Sequence, residues 1–148
     1  MGRVYSALED NGKALQYLDR SLSIDPSQSE VLIVKGRVLS SMDRHLEAAD
    51  YYEQAVSVSP RVWDAHFELG TALLRAGEAE RALRPLEESI RLAPERTEPL
   101  FNAALANVKL GKHKRARELF SGIMRNSPDN PQADKIRLWL SEIGTEQK

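Results

Sequence analysis

The feature that most constrains this chain is a structural unit that recurs every 34 residues. Proline returns at that interval, at Pro26, Pro60, Pro94 and Pro128. Because proline makes up about 5% of residues in ordinary proteins, three further matches at one interval have odds of about one in ten thousand. Two columns of small residues keep the same register: Ala14, Ala48, Ala82 and Ala116, and Gly2, Gly36 and Gly70 followed by Ala104. Each unit is therefore expected to pack against its neighbours along the chain.

Each unit is predicted to form two helices. Its apolar residues fall at helical spacing, as in Ala48, Tyr52, Ala55 and Val56, and no stretch sustains the alternation of a half-buried strand. The proline near the end of a unit stops the second helix, because its ring removes an amide donor and disfavours helical geometry in the preceding residue. Glycine or alanine in the small columns lets the two helices cross closely. The pattern therefore indicates an all-α chain.

A 34-residue unit with a small residue early, an alanine midway and a proline near its end resembles the tetratricopeptide repeat. The resemblance covers nearly the whole chain and implies a right-handed α-α superhelix of helix-turn-helix repeats. It divides one domain over residues 1–148 into a truncated repeat 1–28, complete repeats 29–62, 63–96 and 97–130, and a capping helix and tail over 131–148. We expect about nine helices, since the truncated repeat should hold a short opening helix and a second helix near 11–24.

Four residues depart from the repeat pattern. His66, Asn107 and Lys35 are polar where other repeats carry apolar residues, so we expect imperfect packing of the first helices. A lone histidine in such a column is expected to be packed and hydrogen-bonded rather than to act as a base or metal ligand. Pro85 falls inside a second helix, which predicts a bend or a late start of that helix.

Composition and motifs argue against catalysis. Lys plus Arg number 21 against 22 Asp plus Glu, so the net charge of -1 provides no global field for nucleic acid or an anionic membrane. The absence of cysteine removes thiolate nucleophiles and sulfur-ligated metal sites. No histidine and carboxylate cluster, Gly-rich phosphate loop or G-x-S-x-G motif is present. We therefore expect no catalytic residues, no metal, no cofactor and no nucleic-acid partner, although the basic run 109–117 leaves a phosphate contact as the weaker alternative to a solvated turn.

The apolar runs are far too short to span a bilayer, and no apolar leader follows a charged start. A cytoplasmic protein without direct membrane insertion is therefore the expectation.

The resemblance places function on the concave face, which the first helix of each pair lines. The predicted partner-binding groove consists of Glu30, Ile33, Val34, Arg37, Asp64, Phe67, Glu68, Thr71, Leu74, Phe101, Asn102 and Leu105. Five of these form an expected apolar floor: Ile33, Phe67, Leu74, Phe101 and Leu105. Glu30, Asp64, Glu68 and Glu98 form an expected acidic margin. This pattern predicts a scaffold or adaptor. Its ligand would be an extended peptide or an amphipathic helix that carries apolar anchors and a Lys or Arg.

Three alternatives stay open. Phe67 and Phe101 could pack between adjacent first helices instead of facing a ligand. The chain could act as a dedicated client chaperone or a self-assembling scaffold rather than as an adaptor, or, as the weakest alternative, as a nucleic-acid-associated or enzyme-linked module. The ends of the solenoid could support a homo-oligomer, because Ile136, Trp139 and Ile143 belong to an apolar stripe that is wider than one interface needs.

Overall fold

A computed structural model confirms the all-α fold. It describes residues 2–145, with side-chain environments for residues 10–144. The helices are α1 (Gly2–Ile24), α2 (Ser29–Ser41), α3 (His45–Val58), α4 (Trp63–Arg75), α5 (Ala79–Leu92), α6 (Thr97–Lys109), α7 (His113–Asn126) and α8 (Ala133–Thr145). No strand occurs in the described part of the chain. First helices begin at residues 29, 63 and 97 and second helices at 45, 79 and 113, so the helix starts repeat the interval seen in the sequence.

The turn inside each complete pair places one residue in the left-handed backbone region. These residues are Asp43 with φ 58°, Gly77 with φ 85° and Gly111 with φ 69°. The same interval puts Glu9 at this position in the first repeat. Glutamate rarely adopts a left-handed conformation and favours helix, so no turn ends the helix at this position.

The first repeat is accordingly one continuous helix of 23 residues, α1, rather than a short helix followed by a second one. The described chain has eight helices, and the expectation of about nine was wrong.

The small columns mark the crossing point of each helix pair. A Cβ atom added to Gly36 would lie 2.5 Å from the ring of Tyr52, and one added to Gly70 would lie 2.5 Å from Leu86. Ala104, in the third complete pair, is fully buried. The surroundings of Gly2, the earlier member of this column, lie outside the described side chains. Small residues therefore set how closely the two helices of a pair approach.

The three polar departures are accommodated by specific contacts. His66 is buried, and its Nε2 donates to the carbonyl oxygen of Pro60 at 2.8 Å, as expected for a packed histidine. Asn107 is buried and donates to the carbonyl oxygen of Ala103 at 2.7 Å. Lys35 is buried between helices and bonds to Asp19 of α1 and to the hydroxyl of Tyr51. Each of these three buried polar side chains has a partner, which limits the cost of burying it.

Pro85 does not delay its helix. The helix α5 begins at Ala79, in register with His45 and His113, and continues through Pro85 to Leu92. The expectation of a late start was wrong, because neighbouring helices hold α5 in place and outweigh the missing backbone donor.

Curvature follows from which helices touch. Adjacent first helices contact each other, α2 with α4 and α4 with α6, whereas successive second helices make no backbone contact within the described residues. The second helices are thus spread apart on the outside of the stack. The first helices consequently form the inner, concave face of a superhelix.

Candidate partner-binding groove

The structure corrects the predicted apolar floor. Ile33, Leu74 and Phe101 are 7%, 8% and 7% exposed, so they belong to the core rather than to a ligand surface. The ring of Phe101 packs edge-on against Phe120 of α7, with centroids 5.7 Å apart. The aromatic ring of Phe101 is therefore directed into its own repeat, against the second helix, rather than between adjacent first helices as the packing alternative expected. For these three residues the prediction of a groove floor was wrong.

The apolar surface that remains on the inner face is smaller. Val34 is 44% exposed, while Phe67 and Leu105 are half-buried and pack against the core with part of their surface uncovered. Phe67 also lies next to Trp63, with ring centroids 6.1 Å apart. Val34 is therefore the predicted groove residue that offers an exposed apolar side chain.

An ion cluster crosses the inner face between α2 and α4. Arg37 donates through Nε to Glu68 at 2.6 Å and through Nη2 to Asp64. The bond to Glu68 raises the pKa of Arg37, with a smaller contribution from Asp64. Since one guanidinium serves two carboxylates, the cluster carries a net charge of about -1. Its side chains are only partly exposed, at 47% for Arg37, 33% for Asp64 and 22% for Glu68.

The next interface repeats this contact with neutral groups. Asn102 of α6 donates through Nδ2 to the hydroxyl of Thr71 in α4, at 2.8 Å. Thr71 is the 34-residue equivalent of Arg37, and Asn102 is the equivalent of Glu68. We call these two contacts, Arg37 with Glu68 and Thr71 with Asn102, the polar ladder. Each joins residues that are 31 positions apart, a relation that periodicity alone did not identify as a contact.

Tyr52 lies beneath the ladder and was not predicted as part of the groove. Its side chain is fully buried against Gly36, and its hydroxyl has no hydrogen-bond partner of good geometry among the described residues. Burial raises the pKa of Tyr52, and the negative charge of Glu68 adds to the shift, while Ser40 opposes it. The groove therefore has a polar group below its charged surface. The sequence signal for this buried hydroxyl is the tyrosine itself, because the equivalent residues in the other repeats are Leu18, Leu86 and Phe120.

The outer limits of the inner face are acidic. Glu30 and Glu98, in the first turns of α2 and α6, are exposed. No group of three histidine or acidic residues within the described ranges has the geometry to hold a metal ion. No helix in the same part of the chain is long and apolar enough to cross a bilayer.

The C-terminal edge also differs from the prediction. Ile136 is fully buried and Ile143 is 2% exposed, because α8 packs both side chains against the last complete repeat. These two residues are therefore covered by the chain itself, and their assignment to an edge interface was wrong. Trp139 is half-buried in the same cluster. Leu138, which occupies the column of Gly36, Gly70 and Ala104, is 59% exposed instead.

Three solved structures have a similar architecture. The structure superposes on a crystal structure of MamA with a TM-score of 0.81 at 18% identity, over 98% of this chain and 83% of that one. It matches YrrB, a protein with an unusual peptide-binding site, with a TM-score of 0.77 at 22% identity, over 95% and 78%. It matches the Yersinia enterocolitica secretion chaperone SycD, solved with a peptide of the translocator YopD, with a TM-score of 0.74 at 12% identity, over 80% and 94%.

These likenesses establish the fold. No curated protein sequence matches the chain significantly. Family models of the tetratricopeptide repeat match residues 1–28, 33–97 and 73–140, which together span most of the sequence. The chain belongs to the tetratricopeptide repeat family.

Proposed function

We propose that the chain is a protein-interaction scaffold that holds a short segment of a partner, an extended peptide or an amphipathic helix, against its inner face. The observation that carries this proposal is Val34, an apolar side chain 44% exposed on the concave wall beside the polar ladder. An exposed apolar group flanked by groups with spare hydrogen-bonding capacity is the usual composition of a peptide-binding surface.

The structural neighbours support a peptide as the ligand. YrrB is described as having a peptide-binding site, and SycD was solved with a bound peptide. Both share the helical stack of this chain, which supports a ligand of peptide size.

The charges support a ligand with one basic residue. Glu30 and Glu98 are exposed, and the Arg37 cluster adds a net charge of about -1. A ligand Lys or Arg must compete with Arg37 for Asp64 and Glu68, so charge alone contributes modestly at that point. Apolar contact at Val34 is then expected to provide much of the affinity.

The test uses two valines of matched exposure. Val34 lies on the inner face, whereas Val58, 42% exposed, lies at the end of the outer helix α3. Binding of fluorescent twelve-residue peptides that combine Leu or Phe with Lys should weaken several-fold in Val34→Asn and stay unchanged in Val58→Asn. Equal affinities in the two variants, at equal melting temperatures, would rule out the inner face as the binding surface.

Exposed apolar residues at both ends favour self-association as a second proposal. Ile24 of α1 is 81% exposed and Leu138 of α8 is 59% exposed. Sedimentation velocity should show concentration-dependent association that Leu138→Ser reduces. A monomer at all concentrations up to about 1 mM, where even weak association would appear, would contradict it.

A further inference from the structure

The inner face of the three complete repeats is organised as four rows that run across the helices. Each row joins residues 34 positions apart, and successive rows are three or four residues apart along a helix, so all four lie on one face. From the helix starts to the helix ends the rows are Glu30, Asp64 and Glu98; Val34, Glu68 and Asn102; Arg37, Thr71 and Leu105; and Ser41, Arg75 and Lys109. We call the first the acidic row and the last, which holds two cations, the basic row. The groove therefore has edges of opposite charge.

The charges at both edges are available to a partner. Glu30 and Glu98 in the acidic row are exposed, and so are Arg75 and Lys109 in the basic row. None of these four residues takes part in an ion pair among the side chains from 10 to 144. Asp64, by contrast, is bonded to Arg37. Two free anions therefore lie across the groove from two free cations.

Charges in equivalent places on the outer helices are mostly used within the chain. An acid in the first turn and a base in the last turn complement the helix dipole, so their presence alone says little about ligands. Three such outer charges are paired: Glu47 with Arg44, Glu80 with Lys112 at 3.3 Å, and Arg91 with Glu88. Arg125, at the end of α7, is an exception. The inner edges therefore keep unpaired the kind of charge that the outer helices mostly neutralise.

The spacing of the edges matches the width of an α-helix. Eleven residues separate Asp64 from Arg75 in α4, and the same number separates Glu98 from Lys109 in α6. This spacing is about 16 Å at the helical rise of about 1.5 Å per residue. A helix with its side chains is about 10 to 12 Å across, so one lying across α4 and α6 fits between the edges, and its longer side chains reach them.

A helix also has enough faces to contact both edges and the floor. Its side chains point outward at intervals of about 100°, so one ligand can direct apolar residues to the floor and opposite charges to its two flanks. The side chains of an extended chain alternate between two opposite directions. An extended peptide that reaches both edges therefore has no side chain left for the floor.

The floor between the edges accepts the apolar face of such a helix. Val34 is 44% exposed, and Phe67 and Leu105 retain uncovered surface. The polar ladder beside them is hydrogen-bonded within the chain, and a ligand that covers it does not break those bonds.

We propose that the ligand held in the groove is an amphipathic helix with Lys or Arg on one flank and Asp or Glu on the other. Its basic flank lies against the acidic row, its acidic flank lies against the basic row, and its apolar face covers the floor between them. This inference rests on the proposed peptide-binding function, to which it adds the conformation and the charge pattern of the ligand.

The experiment measures binding of labelled helical peptides to the intact chain by fluorescence anisotropy. About 18 residues are long enough to cross three helices spaced about 9 Å apart. A sorted peptide carries Lys on one flank and Glu on the other, and a scrambled peptide of the same composition, apolar face and helicity carries both charges on each flank. The sorted peptide should bind at least about fivefold more tightly at low salt, and this preference should shrink at about 0.5 M salt. A central Pro, which breaks the helix, should weaken its binding at least about tenfold.

Variants of the basic row make the test specific. When Arg75→Glu and Lys109→Glu are combined, both edges are acidic, so the sorted peptide should lose at least about fivefold in affinity while a peptide with Lys on both flanks gains. Arg125→Glu makes the matched change at the end of an outer helix and should alter neither affinity. If the double reversal fails to fold, Arg75→Gln with Lys109→Gln should reduce the preference for the sorted peptide at least about twofold.

Three results would overturn the proposal. They are equal affinity for the sorted and scrambled peptides, an unchanged preference in the folded double variant, and undiminished binding of the peptide with a central Pro. If binding in any of these cases still falls in Val34→Asn, the inner face remains the peptide site and only the helical, charge-sorted ligand is refuted. An absence of binding by every peptide at about 1 mM would contradict both proposals.

Discussion

Substitution of Gly36 by alanine tests whether close crossing of paired helices controls this fold. In an ordinary helix the change adds about 1 kcal/mol of stability, because alanine has the higher helix propensity. Here the new methyl group would lie 2.5 Å from one ring carbon of Tyr52 and 2.7 Å from another. Contacts below 3.0 Å require a shift, and a buried aromatic ring packed on all sides cannot rotate away as a flexible side chain would.

The expected magnitude follows from these two opposing effects. Forcing an extra methyl group into a packed core costs about 1 to 3 kcal/mol. After the propensity gain, Gly36→Ala should destabilise the protein by up to about 2 kcal/mol, which for a chain of this length lowers the melting temperature by about 4 to 8 °C.

Gly122 provides the matched control. It is also helical, in α7, but nothing lies within 4 Å of a Cβ atom added there. Gly122→Ala should raise stability by up to about 1 kcal/mol. Circular dichroism at 222 nm during urea unfolding would measure both variants. If Gly36→Ala stabilises as much as Gly122→Ala, the close-crossing explanation is wrong.

Three further variants test other contacts. Pro85→Ala restores a backbone donor inside α5 and should raise stability by about 1 to 3 kcal/mol; a lower melting temperature would contradict this. Burial alone would lower the pKa of Lys35, but its bonds to Asp19 and Tyr51 outweigh burial and raise it. The contribution of charged Lys35 to the free energy of unfolding is complete below its usual pKa of 10.5 and is lost as pH rises through the pKa of the folded state. Unfolding measured over alkaline pH should therefore show a loss of stability that Lys35→Leu removes. The same loss of stability in both proteins would exclude Lys35 as its source. Phe101→Ala should cost about 3 to 5 kcal/mol in thermal or urea unfolding, because its ring is a core group; a cost below about 1 kcal/mol would return it to the groove.

The fold was predictable because the residues that recur are the ones that determine how the helices pack and where they end. Proline, alanine and glycine at a constant interval imply stacked helix pairs, and the helix starts follow that interval. The first repeat was the exception. Glu9 stands where Asp43, Gly77 and Gly111 form the turn, and comparing that column would have predicted the continuous helix.

The groove was less predictable, because burial there depends on how adjacent helices meet. Ile33 and Phe101 fall on the inner side by register, yet neighbouring helices cover them. The bond between Arg37 and Glu68 depends on the side-chain conformations of two helices in different repeats. The pattern of a single helix carries no information on such a pair. The side chains of the acidic margin were therefore expected to be more exposed than they are.

The nearest-neighbour packing also determines how protection from hydrogen exchange should vary along the chain. No residue from 10 to 24 in α1 is fully buried, whereas α4 has seven buried residues and contacts helices on both sides. Opening α1 exposes little core, so its amides should exchange at low free-energy cost, and those of α4 only when the stack comes apart. Solvent would then enter from the ends, and the part of the inner face that α4 forms would be the last to lose its shape.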